Sequence, residues 1–313
     1  MRYEFTTPRW RVGTRGSPLA LAQTRAVCDL LCKAHGFARE DIEVRVIKTT
    51  GDQIQNRLLA EVGGKGLFTK EIEIALAASE IDFAVHSAKD MPTVLPDELT
   101  ISAYLEREDP RDALISRNKS ELQQLPRGAC LGTASLRRQA QVRRLRPDID
   151  VRPLRGNVHS RIRKVDAGDI DATILGMAGL NRLGLATSAT QLLSTAEFLP
   201  AVGQGAVAIE TRADDDKTRQ LLNAINHDPT SIAVAAERSF LKILDGSCRT
   251  PIAGHAVVSG NVIEFRGMVL QPGGTAVHET ARTGSIAEAA MLGADAGAEL
   301  KSKSGFLVFA EAG

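Results

Sequence analysis

Apolar and polar positions along the first two thirds of the chain switch repeatedly between a period near two and a period near 3.6, which predicts strands and helices in turn. Arg11-Val12-Gly13 reads as the end of a strand. Ser17 then stands as an N-cap ahead of Pro18 at the first helical position, and Gly36 closes the segment. The helix between them is predicted to bury Leu19, Ala22, Ala26, Leu30 and Ala34. Strands are predicted at Glu43–Lys48 and Ile81–Val85, with a helix over Thr69–Ala78. Between Lys48 and Gly66 the chain is polar and carries Gly51, Gly63, Gly64 and Gly66, the composition of a mobile loop or lid.

The pattern then repeats. Gly132-Thr133-Ala134-Ser135 follows a strand and opens a helix, as Gly13-Thr14-Arg15-Gly16-Ser17 does, and Asp169–Ile174 echoes Glu80–Val85 in the same order. Two similar α/β lobes follow, each offering a strand-to-helix turn to a shared cleft, where helix N-termini present free N–H groups. From about residue 228 the pattern changes: a helix over Ser231–Leu244 with Ile232, Ala235, Ala236, Ser239, Phe240 and Ile243 on its apolar side, then strands at Ile252–Val258, Val262–Leu270 and Thr275–Arg282. A helix at Ile286–Lys301 and a strand at Phe306–Phe309 complete a small α+β unit.

Composition narrows the classes. The chain has 313 residues, 43% hydrophobic and 25% charged, which excludes a largely disordered or fibrous protein. It has no uncharged apolar run long enough to span a membrane, and Met1-Arg2-Tyr3-Glu4-Phe5 lacks the apolar core of a signal peptide, so a cytoplasmic protein is expected. Cys28, Cys32, Cys130 and Cys248 form no Cys-x-x-Cys pair, and no histidine cluster has zinc spacing, so no metal is expected. Cys28, Cys32 and Cys130 read as packing residues. Cys248 differs: it lies in Gly246-Ser247-Cys248-Arg249-Thr250-Pro251, small and loop-forming with a cation beside it, surroundings that favour a thiolate.

Net charge is only +1, yet residues 137–164 hold ten basic side chains, nine of them arginine, against Asp148 and Asp150. The arginine fork pairs bidentately with carboxylates and phosphates, so a polyanionic ligand read group by group is expected. No Phe, Tyr or Trp occurs between Leu105 and Glu197, which removes the stacking platform of a single-strand nucleic-acid binder. Arg143, Arg144 and Arg146 read as a solvated helix face, whereas Arg137, Arg155 and Arg161, each beside a turn or helix start, read as ligand-facing. Asp90, in His86-Ser87-Ala88-Lys89-Asp90-Met91-Pro92, follows an apolar strand and reads either as a turn aspartate or as an ionised carboxylate at the cleft, able to stabilise a developing cation. A non-enzymatic two-lobed binding protein for a polycarboxylate fits the arginines equally well.

Six blocks carry a resemblance: Val62–Phe68, His86–Pro92, Glu106–Ala113, Gly132–Gln139, Leu154–Val158 and Leu199–Ala206. In content and order they resemble the hydroxymethylbilane synthase (porphobilinogen deaminase) family. The resemblance implies a transferase that condenses four porphobilinogen molecules head to tail into hydroxymethylbilane, releasing ammonia, on a dipyrromethane cofactor held by a thioether to Cys248. It implies a catalytic role for Asp90 with Lys89. It implies cofactor contacts from Lys89, Asp90, Ser135, Arg137, Arg138 and Arg155, and substrate contacts from Arg15, Ser17, Phe68, Arg155, Arg161 and Arg182. It also implies two periplasmic-binding-protein-like lobes with mixed sheets around a cleft: lobe 1 from 1–105 with 206–226, lobe 2 from 106–205, and a C-terminal α+β domain over 227–313. A monomer acting on porphobilinogen, with no nucleic-acid or membrane partner, is expected. Gly16 and Ser247 depart from the family pattern, where a longer polar residue and a glycine are usual.

Overall fold

A computed structural model describes residues 9–53, 66–244 and 251–304. In chain order the first elements are β1 (Trp10–Thr14), α1 (Pro18–His35), β2 (Ile42–Val46), the single-turn α2 (Thr50–Gln53), α3 (Lys70–Ala77), β3 (Phe83–Ser87) and β4 (Leu99–Tyr104). Next come β5 (Asp112–Ser116), β6 (Cys130–Gly132), α4 (Leu136–Leu145), β7 (Asp150–Arg152), α5 (Val158–Ala167), β8 (Ala172–Gly176), α6 (Met177–Arg182) and β9 (Gln191–Leu193). The remainder is β10 (Val207–Arg212), α7 (Asp216–Asn223), α8 (Asp228–Ile243), β11 (Ile252–Ser259), β12 (Val262–Leu270), β13 (Val277–Ser285) and α9 (Ala289–Ser304).

The internal echo in the sequence becomes a shared topology. One five-stranded sheet has the order β2-β1-β3-β10-β4 and a second the order β7-β6-β8-β5-β9. In each, three parallel strands are followed by two antiparallel pairings. The fourth position is filled across the molecule: β5 follows β4 in the chain but joins the second sheet, and β10 returns to the first. The chain therefore crosses between the lobes twice. β3, β5, β8 and β10 are buried nearly throughout, as strands covered by helices on both faces must be.

Local signals start and stop the helices as the sequence predicts. Ser17 caps α1 by accepting a hydrogen bond from Ala20 N at 3.2 Å, and Gly36 ends it. The buried face of α1 is not the predicted one. It presents Ala20, Gln23, Thr24, Val27, Cys28 and Leu31 to the sheet, while Ala26, Leu30 and Ala34 are exposed. The helix has apolar residues in two stripes, and the sheet selects the one whose Val27, Cys28 and Leu31 fill the space over Val12, Phe83 and Ile209. In α8 the buried face is likewise rotated to Ala233, Val234, Ala236, Glu237 and Phe240, with Ala235 exposed.

The C-terminal unit stacks α8 and α9 on the antiparallel sheet β11-β12-β13. Phe240 and Phe265 meet at its centre, ring centroids 5.0 Å apart, each such buried side chain contributing about 1.5–3 kcal/mol. α9 approaches α8 so closely that a Cβ on Gly293 would lie 2.0 Å from Ala236 O, so only glycine fits there. The predicted strand at 306–309 lies outside the described residues.

One buried carboxylate ties this unit to both lobe crossings. Glu237 of α8, fully buried, accepts hydrogen bonds from Arg107 Nη1 (2.6 Å) in the first crossing and from Gly203 N (2.6 Å) in the second. It also accepts from Ala256 N of β11 at 2.8 Å. The cleft lies beside this junction.

Candidate active site

The expected site residues gather at the carboxyl ends of parallel strands, where helix N-termini and turns leave backbone donors free. Arg15 and Ser17 follow β1, and Lys89 and Asp90 follow β3. Ser135, Arg137 and Arg138 follow β6, Arg155 follows β7, and Arg182 closes α6 after β8. In the first lobe these residues wall an open cavity whose lining includes Arg15, Ser17, Gln23, Phe68, His86 and Asp90.

Arg15 is held in place on three sides. Its guanidinium carbon lies 4.2 Å from the Phe68 ring centroid, a cation–π distance. Its Nε lies 3.2 Å from both carboxylate oxygens of Asp52 in α2, its Nη2 also bonds Asp52, and its Nη1 is 4.0 Å from Asp90 Oδ2. Burial works to raise the Asp52 carboxyl, but Arg15 and the Thr49 hydroxyl outweigh it and hold it below the usual carboxylate range. Asp52 was not among the residues singled out by sequence. Nothing in its spacing from Arg15 marks the pair, although an acid in a glycine-rich loop opposite an arginine is a usable signal. Gln23 and Ser87 also line this wall, joined by hydrogen bonds of 2.9 and 3.1 Å.

In the second lobe the segments singled out by sequence hold side chains that are bound more tightly than the pattern showed. Ser135 caps α4, accepting from Arg138 N at 3.4 Å. Arg137 and Arg138 are 5% and 6% exposed and converge on the fully buried Asp112. Arg137 Nη1 reaches Asp112 Oδ2 at 2.7 Å and Leu199 O at 2.7 Å. Arg138 Nε and Nη2 reach Asp112 Oδ1 at 3.0 and 2.7 Å, and its Nη1 donates to Ile174 O at 3.0 Å. Gln204 Nε2 completes the brace, donating to Asp112 Oδ1 at 3.0 Å. Burial alone would raise the Asp112 carboxyl; the two guanidinium groups override it and hold it far below the usual range.

Arg155 precedes Gly156 and Asn157, the latter capping α5 by accepting from Ser160 N at 2.8 Å. Gly156 has φ of 125°, and a Cβ there would meet Ser160 Oγ at 2.2 Å, so this turn requires glycine. Arg161 donates to Gly156 O at 2.8 Å and Arg182 to Gly205 O at 2.8 Å. Of the three arginines expected on a solvated helix face, Arg144 is exposed and Arg143 half-buried, while Arg146 is largely enclosed. Arg146 bonds Asp148 and the carbonyls of Leu122 and Leu125, Arg143 donates to Pro272 O, and Arg144 pairs with Glu279 at 2.9 Å. These three brace the second lobe and its contact with the C-terminal unit. Cys248 lies outside the described residues, as do residues 54–65 of the predicted loop.

The cations of the two lobes act on one another. Crowding by surrounding protein atoms, then the charge of Arg138, pushes the Lys89 ammonium down to about 8, while its side chain keeps contact with solvent. Burial, then Arg138 and Arg155, pushes Arg161 down to about 10. Arg138 of the second lobe thus acts both on Lys89 of the first lobe and on Arg161 of its own. A polycarboxylate bound here raises the proton affinity of Lys89. Binding at pH 8–9 is therefore expected to take up a fraction of a proton, read by titration calorimetry in buffers of different ionisation enthalpy. Lys89→Met is expected to abolish the uptake, and an unchanged uptake would remove Lys89 from the site.

Twin lobes joined by two crossings, with cations from both at their strand ends, define a two-lobed α/β protein suited to a polyanionic ligand. Comparison with known proteins narrows it. Residues 10–220 match the family model described as porphobilinogen deaminase, dipyromethane cofactor binding domain, and residues 231–302 match porphobilinogen deaminase, C-terminal domain. Porphobilinogen deaminases of Nitrobacter winogradskyi and Nitrobacter hamburgensis are each 58% identical over 304 residues, 96% of both chains. Among solved structures, the second substrate-binding domain of a putative amino acid ABC transporter from Streptococcus pneumoniae aligns at 14% identity with a TM-score of 0.43, over 69% of this chain and 91% of that one. The chain belongs to the porphobilinogen deaminase family.

Proposed function

We propose an assignment of the family's reaction to this chain's own residues. The protein is a transferase that condenses four porphobilinogen molecules head to tail into hydroxymethylbilane, releasing ammonia, in tetrapyrrole biosynthesis, and its cofactor is dipyrromethane. The observation that carries the assignment is the gathering of Arg15 and Lys89 from the first lobe and Arg155, Arg161 and Arg182 from the second after the strand ends of the two sheets. Every porphobilinogen-derived ring bears two carboxylates, so this positive group fits a ligand of several rings. Bound there, dipyrromethane supplies the pyrrole ring to which the first porphobilinogen is joined.

Cys248 is the attachment point, because a thiolate is the nucleophile that forms a thioether. Lys89, Asp90, Ser135, Arg137, Arg138 and Arg155 hold the cofactor, Arg137 and Arg138 through the frame that Asp112 imposes on α4. Arg15, Ser17, Phe68, Arg155, Arg161 and Arg182 receive substrate: Arg15 pairs with its carboxylates, Ser17 offers the N-terminus of α1, and Phe68 keeps the Arg15 fork flat. Asp90 and Lys89 are the catalytic pair, with Asp90 holding negative charge beside the pyrrole nitrogen as the aminomethyl group departs. The exchange of β5 and β10 supports domain limits of 1–105 with 206–226, 106–205 and 227–313. We read the protein as a cytoplasmic monomer without nucleic-acid partners; among the described residues no helix is long and apolar enough to cross a membrane.

Intact mass of the denatured protein, followed by peptide mapping, tests the attachment. A surplus of two linked porphobilinogen-derived units on the Cys248 peptide is expected, absent from Cys248→Ser. An unmodified mass that persists after incubation with porphobilinogen would overturn the assignment of Cys248.

A further inference from the structure

Behind the wall of the first-lobe cavity lies a buried ionisable cluster that the roles above leave unused. His86, in β3, is 5% exposed and lines the cavity beside Asp90 and Arg15. Its Nε2 stands 3.1 Å from Oε2 of Glu210, which is fully buried in β10. The antiparallel register explains the contact: Ala208 faces His86 and Glu210 faces Ala84, which makes His86 and Glu210 diagonal neighbours on one face. α3 covers that face, packing Ile72 and Leu76 over Ala84, and brings Glu73 within electrostatic reach of both Glu210 and His86. Glu210 Oε1, Glu73 Oε1 and Thr69 Oγ1 are buried without a hydrogen-bond partner among the described residues, and Thr69 itself lines the cavity.

Buried acceptors in this number call for protons. Two carboxylates and an imidazole in one low-dielectric space share protons instead of all ionising. Burial raises the Glu73 carboxyl above its ordinary value and the charge of Glu210 adds to this, against the lowering effects of the nearby Thr69 hydroxyl and of His86. The other charged groups facing the cluster are Glu98 ahead of β4, Lys89 and Asp90 after β3, and Arg15 after β1.

We propose that His86, backed by Glu210 and Glu73, is the proton store of the deamination step. The inference rests on the deaminase reading of this cleft. Each condensation breaks the C–N bond of an aminomethyl group and the C–H bond at the α-carbon of the accepting ring. It forms one C–C bond and one N–H bond of ammonia. One proton must therefore pass from carbon to nitrogen. His86 takes it up at the cavity wall, Glu210 balances the imidazolium, and the proton passes to the nitrogen that departs in the next round while Glu73 adjusts the charge behind.

The test uses the holoenzyme and follows kcat and KM for porphobilinogen between pH 5.5 and 9, with ¹⁵N NMR titration of the histidine side chains. His86→Gln is expected to lower the plateau kcat about 10²-fold, with KM within about twofold, and to erase the acid limb of the profile. Glu73→Gln removes a negative neighbour and so lowers the proton affinity of His86. The NMR midpoint of His86 and the acid limb of kcat are expected to move together to lower pH. A folded His86→Gln protein with the wild-type plateau and acid limb overturns the inference. If that variant does not fold, Glu73→Gln decides, and an unmoved acid limb with an unmoved His86 midpoint overturns it. Wild-type protein that releases no ammonia from porphobilinogen overturns the deaminase reading itself, and this inference with it.

Discussion

Asp90→Asn is expected to lower kcat about 10²- to 10³-fold while leaving the fold in place. Asparagine keeps the shape of the side chain and removes only its charge. Asp90 sits in the short turn Ala88–Asp90 at the end of a buried strand, its side chain 32% exposed to the cavity and its Oδ2 4.0 Å from Arg15 Nη1. A carboxylate so placed gains most when positive charge develops next to it, as it does on a pyrrole nitrogen when ammonia leaves. The effect therefore belongs in kcat, with KM nearly unchanged, because the groups that grip substrate carboxylates are cationic and untouched. Steady-state rates of hydroxymethylbilane formation read it directly. A variant within threefold of wild-type kcat would show that the negative charge of Asp90 is not what the transition state uses.

Asp112→Ala is expected to destabilise the second lobe by about 3–5 kcal/mol, the largest stability effect among single substitutions near the cleft. The carboxylate is fully buried and accepts from Arg137, Arg138 and Gln204. Its loss strands two guanidinium groups that are 5% and 6% exposed and that repel each other. Urea unfolding reads the change as a fall in midpoint, and a loss under about 1 kcal/mol would mean that water reaches both arginines. Asp52→Asn provides the contrast. The Arg15–Asp52 pair is 21% and 29% exposed, so its removal is expected to cost only about 0–1 kcal/mol. Asp112 carries two arginines and is closed to water, whereas Asp52 carries one and is open to it, and these two differences separate the sites by several kcal/mol.

Much of the fold was legible along the chain because the signals are local. Ser17 and Pro18 start α1, Gly36 stops it, and Ser135 and Asn157 cap α4 and α5, each through a hydrogen bond within three residues. The repeated strand-turn-helix pattern announced two lobes, and the repeated sheet order bears this out. The buried stripes of α1 and α8 were misplaced, since both helices carry apolar residues on more than one side and only the partner sheet chooses between them. Arg146 was read as solvated for a related reason: its bonds to the Leu122 and Leu125 carbonyls close contacts more than twenty residues apart.

The sequence by itself determined the elements, the arginine-rich character of residues 137–164, the isolation of Asp90 at a strand end, and membership of a family through six ordered blocks. Those properties depend on residue type and on neighbours a few positions away. Tertiary structure alone decided which arginines are locked and which face the cleft. Asp112 is 25 residues from Arg137, Asp52 is 37 from Arg15, and Glu210 is 124 from His86. Whether such a pair meets, and whether water is excluded when it does, depends on strand register and helix packing set by the whole chain. Burial multiplies the strength of each charge, so the same arginine is a brace where the core closes over it and a ligand group where the cleft leaves it open.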